Sequence, residues 1–379
     1  MRIEITGKCN LKCLYCHAAR LNNPIAIGSE LKTERILSLI DEAKKLGCSE
    51  FTLIGGEPFL NQDWPEIVKR CGEDSIVNIT TNGHFFDEFV LAKICEFPQI
   101  QEFRISLDGL LSHDKIRVGS SHKKILATVA KMTSFFPERR IVVQTTCNRQ
   151  NLPEILDLYD ELKKTSIFRW YIGHLWCFGS RAKENEDFLE FSDYAYMFSI
   201  YKKLIQKFQA DGRPFWLAIH NVYNSQIAAE NAEEYVNMDF ETHPCLYYFR
   251  SICIKASGEL TFCPALDLPF ASIYSQPLHK ALKSPWLRDF KLLTIRSLPC
   301  GNCRYIKLCG GGCRADAFAC TGGDINGLDS NSCCFMAHIE KDIVPILSIN
   351  EQEKYHKLIN DNGDMPSFYK NDSDKIKLG

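Results

Sequence analysis

The sequence predicts an α/β chain: a partial (β/α)6 TIM-like barrel followed by a separate cysteine-rich domain. Three observations carry this. Six short β-rich runs alternate with helical periods between residues 2 and about 180, the pattern of a parallel sheet with helical crossovers. Six units curl into part of a barrel rather than a closed eight-fold one. Ten of the eighteen cysteines then crowd into residues 245–334, which marks a second unit of different chemistry.

The elements follow in order. RIEIT (residues 2–6) opens as a strand and runs directly into a cysteine cluster on a loop. A helix starting at Thr33, a suitable N-cap, carries Ile36, Leu37, Ile40, Ala43 and Leu46 at helical spacing, and Gly47 stops it. Strand 51–54 (FTLI) follows, then strand 75–80 (SIVNIT), helix 87–96, strand 102–107 (EFRISL), helix 121–135, strand 140–146 (RIVVQTT), helix 153–164 and strand 168–173 (FRWYIG). The expected organisation is a barrel over 1–180, a helical connector over 181–244 with one amphipathic helix at 194–208, the cysteine-rich domain over 245–336, and a helix with a polar tail over 337–379. Ligands in such folds sit where parallel strands end, so chemistry belongs to the loops just after each strand.

Composition narrows the function. A formal net charge of -2 and a pI near 6.6 leave no basic footprint for nucleic acid. MRIEITGKCN has no apolar signal core, and no run approaches the roughly 18 apolar residues of a membrane span. The expected location is the cytoplasm. Eighteen cysteines in a large leaderless chain point to metal ligation rather than disulfides.

The first constellation is Cys9, Cys13 and Cys16, spaced C-x3-C-x2-C directly after the first strand. Three thiolates can each ligate one iron of a [4Fe–4S] cube, which leaves the fourth iron open to a small molecule. Later strand-end loops offer a cradle. In IGGEP (residues 54–58), Gly55 and Gly56 permit close backbone approach and Glu57 offers a carboxylate to an amino group. Tyr15 can pack on an aromatic base. Ser106 and Asp108 suit ribose hydroxyls or a carboxylate, and Arg117 is the cation best placed to grip a carboxylate through both oxygens. A zinc site with His17 as fourth ligand is the alternative for the three cysteines. It does not account for GGEP and SLDG at successive strand ends.

CNLKCLYC, GGEP, TTNG (80–83) and SLDG with a downstream arginine together resemble the radical S-adenosylmethionine (SAM) superfamily, over residues 2 to about 180. The resemblance implies that the open iron chelates SAM and that one electron cleaves it to a 5'-deoxyadenosyl radical that abstracts a substrate hydrogen. It also implies an electron donor such as flavodoxin or ferredoxin.

The second constellation runs Cys245-x12-Gly258-x4-Cys263, then Cys300-x2-Cys303-x5-Cys309-x3-Cys313, then Cys333. It is similar to the SPASM extension of radical SAM enzymes that modify peptides and proteins. Two auxiliary [4Fe–4S] clusters are implied, one on Cys300, Cys303, Cys309 and Cys333, the other on Cys245, Cys263 and Cys313. Cys253 is taken as the fourth ligand of the latter, subject to the register of its hairpin, with an open iron as the alternative. Cys333 is preferred to Cys334 because helical spacing from it turns Met336 inward, and Cys320 is left over. A pair of structural zinc sites would also use CxxC spacing. Cys48, Cys71, Cys95, Cys147 and Cys177 are expected as small buried hydrophobes.

The resemblance leaves several destinations. Peptide or protein side-chain modification, with dehydrogenation or crosslinking as its outcome, is the reading adopted. Haem-modifying and other small-molecule members keep the same cysteine pattern. Anaerobic sulfatase maturases carry an Asp directly after the cysteine closing the Gly-x4-Cys segment, where this chain has Pro264, with Asp267 three positions on. A first strand starting at residue 2 leaves leader recognition to another protein or to the cysteine-rich surface. His174 and Trp176 in HLWCFGSRA (174–182) are candidates for the cavity wall or the core. A zinc-bound scaffold and an iron–sulfur electron carrier are the readings outside enzymology; the second has no use for GGEP.

Overall fold

A computed structural model describes residues 1–16, 30–175, 187–225, 241–245, 251–266, 268–274, 276–300 and 302–359. The six expected strands are β1 (Arg2–Glu4), β2 (Glu50–Ile54), β3 (Ile76–Thr81), β4 (Ile100–Ser106), β5 (Arg140–Cys147) and β6 (Arg169–His174), each parallel to the next. Between them run α1 (Thr33–Lys45), α2 (Trp64–Cys71), α3 (Glu88–Cys95), α4 (Leu111–Ile116), α5 (His122–Phe135) and α6 (Ile155–Leu162). In α1 the buried stripe is Ile36, Leu39, Ile40 and Ala43, the spacing that puts one face on the sheet. Thr33 is the first helical residue rather than the cap, and its hydroxyl bonds Asp63 Oδ2 at 2.6 Å.

The sheet is wider than six strands, and both extensions correct the expected organisation. After α7 (Phe191–Ala210) the chain forms β7 (Trp216–Ile219), parallel to β6, and β8 (Tyr223–Asn224), antiparallel to β7. The 181–244 stretch is therefore not a purely helical connector. At the other edge, β9 (Cys253–Ile254) lies parallel to β1, with Arg2 opposite Cys253 and Ile3 opposite Ile254, and continues into β10 (Glu259–Thr261) and β11 (Ala271–Ser272). The sheet order is β8-β7-β6-β5-β4-β3-β2-β1-β9-β10-β11. The cysteine-rich region thus completes the edge of the barrel sheet instead of standing apart. A strand of two residues carries too little periodicity to be read from sequence.

Helices bind the two regions on the other side. The helix Ser330–His338 packs on α7 through Phe335, whose ring lies 4.9 Å from that of Tyr194 and 5.4 Å from that of Phe198. Phe335 is fully buried, as are Ile339 and Ile343 just after it. Burying a side chain of that size stabilises the fold by about 2–3 kcal/mol. No helix among the described residues is long and apolar enough to cross a membrane.

Candidate active site

The cysteine loop leaves β1 and is held by the backbone of the next strand-end loop. Gly56 N–H donates to Thr6 O and Glu57 N–H to Lys8 O, both at 2.8 Å. A Cβ on Gly56 would sit 2.2 Å from Lys8 O, and one on Gly55 would sit 2.3 Å from Thr6 O. Only glycine permits that approach. Further on, Cys13 pairs with Arg117 in a two-residue antiparallel ribbon, and Leu14 N–H donates to Ile116 O at 2.9 Å.

Donors surround the thiols. Leu11 N–H reaches Cys9 Sγ at 3.4 Å, Asn82 Nδ2 lies 4.0 Å from it, and Arg117 Nη1 lies 3.8 Å from Cys13 Sγ. Burial nevertheless pushes both thiols up, against the pull of Leu11 N–H on Cys9 and of Arg117 on Cys13. Buried thiols of this kind become thiolates when cationic metal supplies the missing charge.

Arg117, Asp108 and Tyr15 lock together behind this loop. Arg117 Nε donates to Asp108 Oδ2 at 2.6 Å, its Nη2 donates to Tyr15 Oη at 2.6 Å, and the tyrosine hydroxyl donates to the same Asp108 oxygen at 2.5 Å. Thr146 N–H fills Asp108 Oδ1 at 2.8 Å. Glu57, fully buried, accepts from Thr81 Oγ1 and Asn82 N–H at 2.7 Å and from Phe59 N–H at 3.4 Å. Burial raises its carboxyl to about 7, against those three donors.

The inner face of the barrel is polar where strands end. Register aligns Ser106 with Gln144, Gln144 with Tyr171, and Tyr171 with Ala218. Ser106, Gln144 and Tyr171 are half-buried, whereas Trp170 and Ile172 on the opposite face are sealed in the core. Tyr171 Oη lies 3.0 Å from His220 Nδ1, just beyond β7.

A second candidate centre lies in the C-terminal region. Cys300, Cys303, Cys309 and Cys333 line one pocket, together with Ile306, Asp329 and Met336. Burial pushes the Cys309 and Cys333 thiols well up, and the neighbouring thiols and Asp329 add to it. The turn between Cys309 and Cys313 is Gly310-Gly311-Gly312, all with positive φ; a Cβ on Gly312 would meet Asp329 Oδ2 at 2.6 Å. Asp329 caps the helix Ser330–His338 through Ser332 N–H at 3.0 Å and accepts Cys313 N–H at 2.8 Å. Cys334 instead packs into the main core.

Cys245, Cys263 and Cys313 border a smaller apolar cluster of Phe262, Leu266, Leu287, Phe290 and Ala315. Burial raises Cys245 to about 12, with the Cys263 charge adding to it. Cys253 sits in β9 opposite Thr261, 1% exposed, so strand alternation turns both to one face. Across both regions, no group of three or more His, Cys, Asp or Glu among the described residues is drawn together tightly enough to hold a single metal ion.

Comparison with known proteins decides the family of the first site: the model of the radical SAM superfamily matches residues 3–162. Those residues form a radical SAM domain. The chain is 26% identical over 333 residues to the AdoMet-dependent heme synthase of Methanosarcina barkeri, covering 84% of this chain and 92% of that protein. It is 25% identical over 337 residues to the PqqA peptide cyclase of Granulibacter bethesdensis, covering 84% and 83%. The solved structure of native anSMEcpe with bound AdoMet and Cp18Cys peptide shares the fold at a TM-score of 0.69 and 16% identity, covering 93% of this chain and 98% of that one. The radical SAM family of that domain implies a [4Fe–4S] cluster and SAM.

The radical SAM domain uses several expected cradle residues on itself. Glu57 already accepts hydrogen bonds inside the protein on both carboxylate oxygens. Gly55 and Gly56 admit the chain's own Thr6–Lys8 backbone, so their close approach serves the cysteine loop. Asp108 and Tyr15 are committed to Arg117, whose guanidinium already grips a carboxylate from within the chain. Ser106 faces the barrel interior half-buried.

Other placements sort the remaining cysteines and histidines. Cys71 and Cys147 are core residues, Cys48 is half-buried, and Cys95 is exposed, contrary to expectation, because it closes α3 on the solvent side. His174 has core parity in β6 and packs on Tyr201 and Phe335. His17, Trp176, Cys177 and Asp267 lie outside the described residues. Sequence reasoning missed Asn82, although TTNG contains it, Tyr171, although FRWYIG contains it, and His220, because β7 went unread.

Proposed function

We propose that this enzyme cleaves SAM reductively at a cluster held by Cys9, Cys13 and Cys16, and takes a hydrogen atom from a peptide or protein side chain to leave an oxidised product. The observation that carries it is the coupling of a radical SAM domain to a cavity walled by Cys300, Cys303, Cys309 and Cys333. Four thiols around one space fit an auxiliary [4Fe–4S] cluster, which asks for four thiolates. Cys245, Cys263 and Cys313 would hold a second through three of its irons. When bound, these groups supply the radical and the electron acceptors. The protein's own work is positional: Arg117 beside Cys13 and the Gly56–Thr6 bonds fix the cysteine loop, and the polar row Ser106, Gln144 and Tyr171 orients what enters the barrel. Support for a peptide comes from the peptide cyclase among the relatives and the peptide in the similar structure.

The test is anaerobic purification, metal counting and reduction by dithionite with SAM and a peptide encoded beside the gene. We expect 5'-deoxyadenosine and a peptide lighter by two hydrogens. Replacing Cys9, Cys13 and Cys16 by Ala should abolish cleavage while about eight irons remain, four per auxiliary cluster. Zinc in place of iron, with no 5'-deoxyadenosine, would overturn the reading. The heme synthase similarity, which covers 92% of that relative, favours a second substrate class. It requires that an iron porphyrin bearing carboxylate side chains, and no peptide, stimulates SAM turnover.

A further inference from the structure

The helix Arg314–Cys320 begins at Cys313, and its third residue is Asp316. A carboxylate at that position ordinarily reaches back to the N–H of the capping residue. Here Asp329 has taken that N–H, at 2.8 Å from its Oδ2. The neighbouring buried cation turns its terminal nitrogens to backbone: Arg314 Nη1 donates to Ile325 O at 3.2 Å and to Gly327 O at 2.8 Å, its Nη2 donates to Gly311 O, and its Nε makes no hydrogen bond to Asp316.

Asp316 is left 1% exposed with both carboxylate oxygens buried and without a hydrogen-bond partner among the described residues. Its charge acts on two thiols, Cys313 against which it lies and Cys263. A buried polar group without a partner costs about 1–3 kcal/mol, and more when charged. Such a group persists where something absent from the bare chain completes it. Cys253, the rival ligand, lies within the sheet, opposite Thr261 of β10 and Arg2 of β1.

We propose that Asp316 ligates the fourth iron of the cluster on Cys245, Cys263 and Cys313, in place of Cys253. This rests on the auxiliary-cluster reading above. A carboxylate is a harder ligand than a thiolate and suits iron less well within a sulfide cube. The iron on Asp316 is therefore the one a substrate or solvent molecule displaces most readily.

The full chain is reconstituted anaerobically as wild type, Asp316→Ala, Asp316→Cys and Cys253→Ala, and each is examined by iron counting and Mössbauer spectroscopy. Wild type should hold about twelve irons, four per cluster, with one iron distinct from the rest of its cube. Asp316→Ala should lose about one iron and that distinct signal, Asp316→Cys should restore the iron with a thiolate-like signal, and Cys253→Ala should match wild type. An unchanged Asp316→Ala spectrum, or iron lost from Cys253→Ala, overturns the assignment while the cluster itself stands. A wild type with only about eight irons overturns both the assignment and the reading beneath it.

Discussion

At the scale of single residues, the fold controls the charge of Glu57. Its carboxyl is raised from 4.5 to about 7 by burial. Between those two values the folded chain keeps a proton that the unfolded chain releases, so stability falls as pH rises and the loss is complete above the folded value. The total is about 3 kcal/mol. Anaerobic urea unfolding at pH 5 and pH 7.5 should show this decrease, and Glu57→Gln should remove that part of it; an identical slope in the variant would show that Glu57 is ionised throughout. Such partnerships were not legible in the chain. Asp108, Arg117 and Tyr15 each looked available to a ligand, because a sequence shows residue types but not that residues 93 and 102 positions apart have found one another. The cysteine motifs stood out because their spacing is local.

At the scale of elements, the strand-end loop after β2 serves as a clamp on the cysteine loop. Gly56→Ala drives a Cβ into the carbonyl oxygens of Lys8 and Gly7, at 2.2 and 2.6 Å. The backbone must part there. We expect this variant to keep its helical circular dichroism and lose about four irons on anaerobic purification, the content of the first cluster. Gly47→Ala is the control: φ is +86° but nothing lies within 4 Å, so it should lose about 1 kcal/mol of stability and no iron. Full iron in Gly56→Ala would show that the clamp is dispensable. Six strands were legible because runs such as RIVVQTT alternate clearly with helical periods. β7 was not, since WLAI is short and follows α7 closely, and a brief apolar run cannot be assigned by period alone.

At the scale of the whole molecule, the radical SAM domain and the cysteine-rich region share one sheet and one core. β1 hydrogen-bonds β2 on one side and β9 on the other, and Ala256 N–H donates to the buried Glu4 carboxylate at 3.0 Å. A chain ending at residue 244 would leave β1 as an unpaired edge, with Glu4 stripped of that donor. Open edges recruit other strands. Size-exclusion chromatography of this truncation should therefore show aggregates, and a monodisperse monomer would show that β9 is not needed. The cysteine count announced a separate unit, but nothing local in SICIKASG declares that it will lie against the second residue of the chain.

That pairing sets a timetable for the nascent protein. Arg2 and Ile3 leave the ribosome well before their partners Cys253 and Ile254, which follow 251 residues later. At bacterial or eukaryotic elongation speeds the interval is about 12–50 seconds. Throughout it the first strand, with the thiols of Cys9, Cys13 and Cys16 close behind, waits with one flank uncovered, so whatever delivers iron and sulfide meets an unfinished barrel or must wait for synthesis to end.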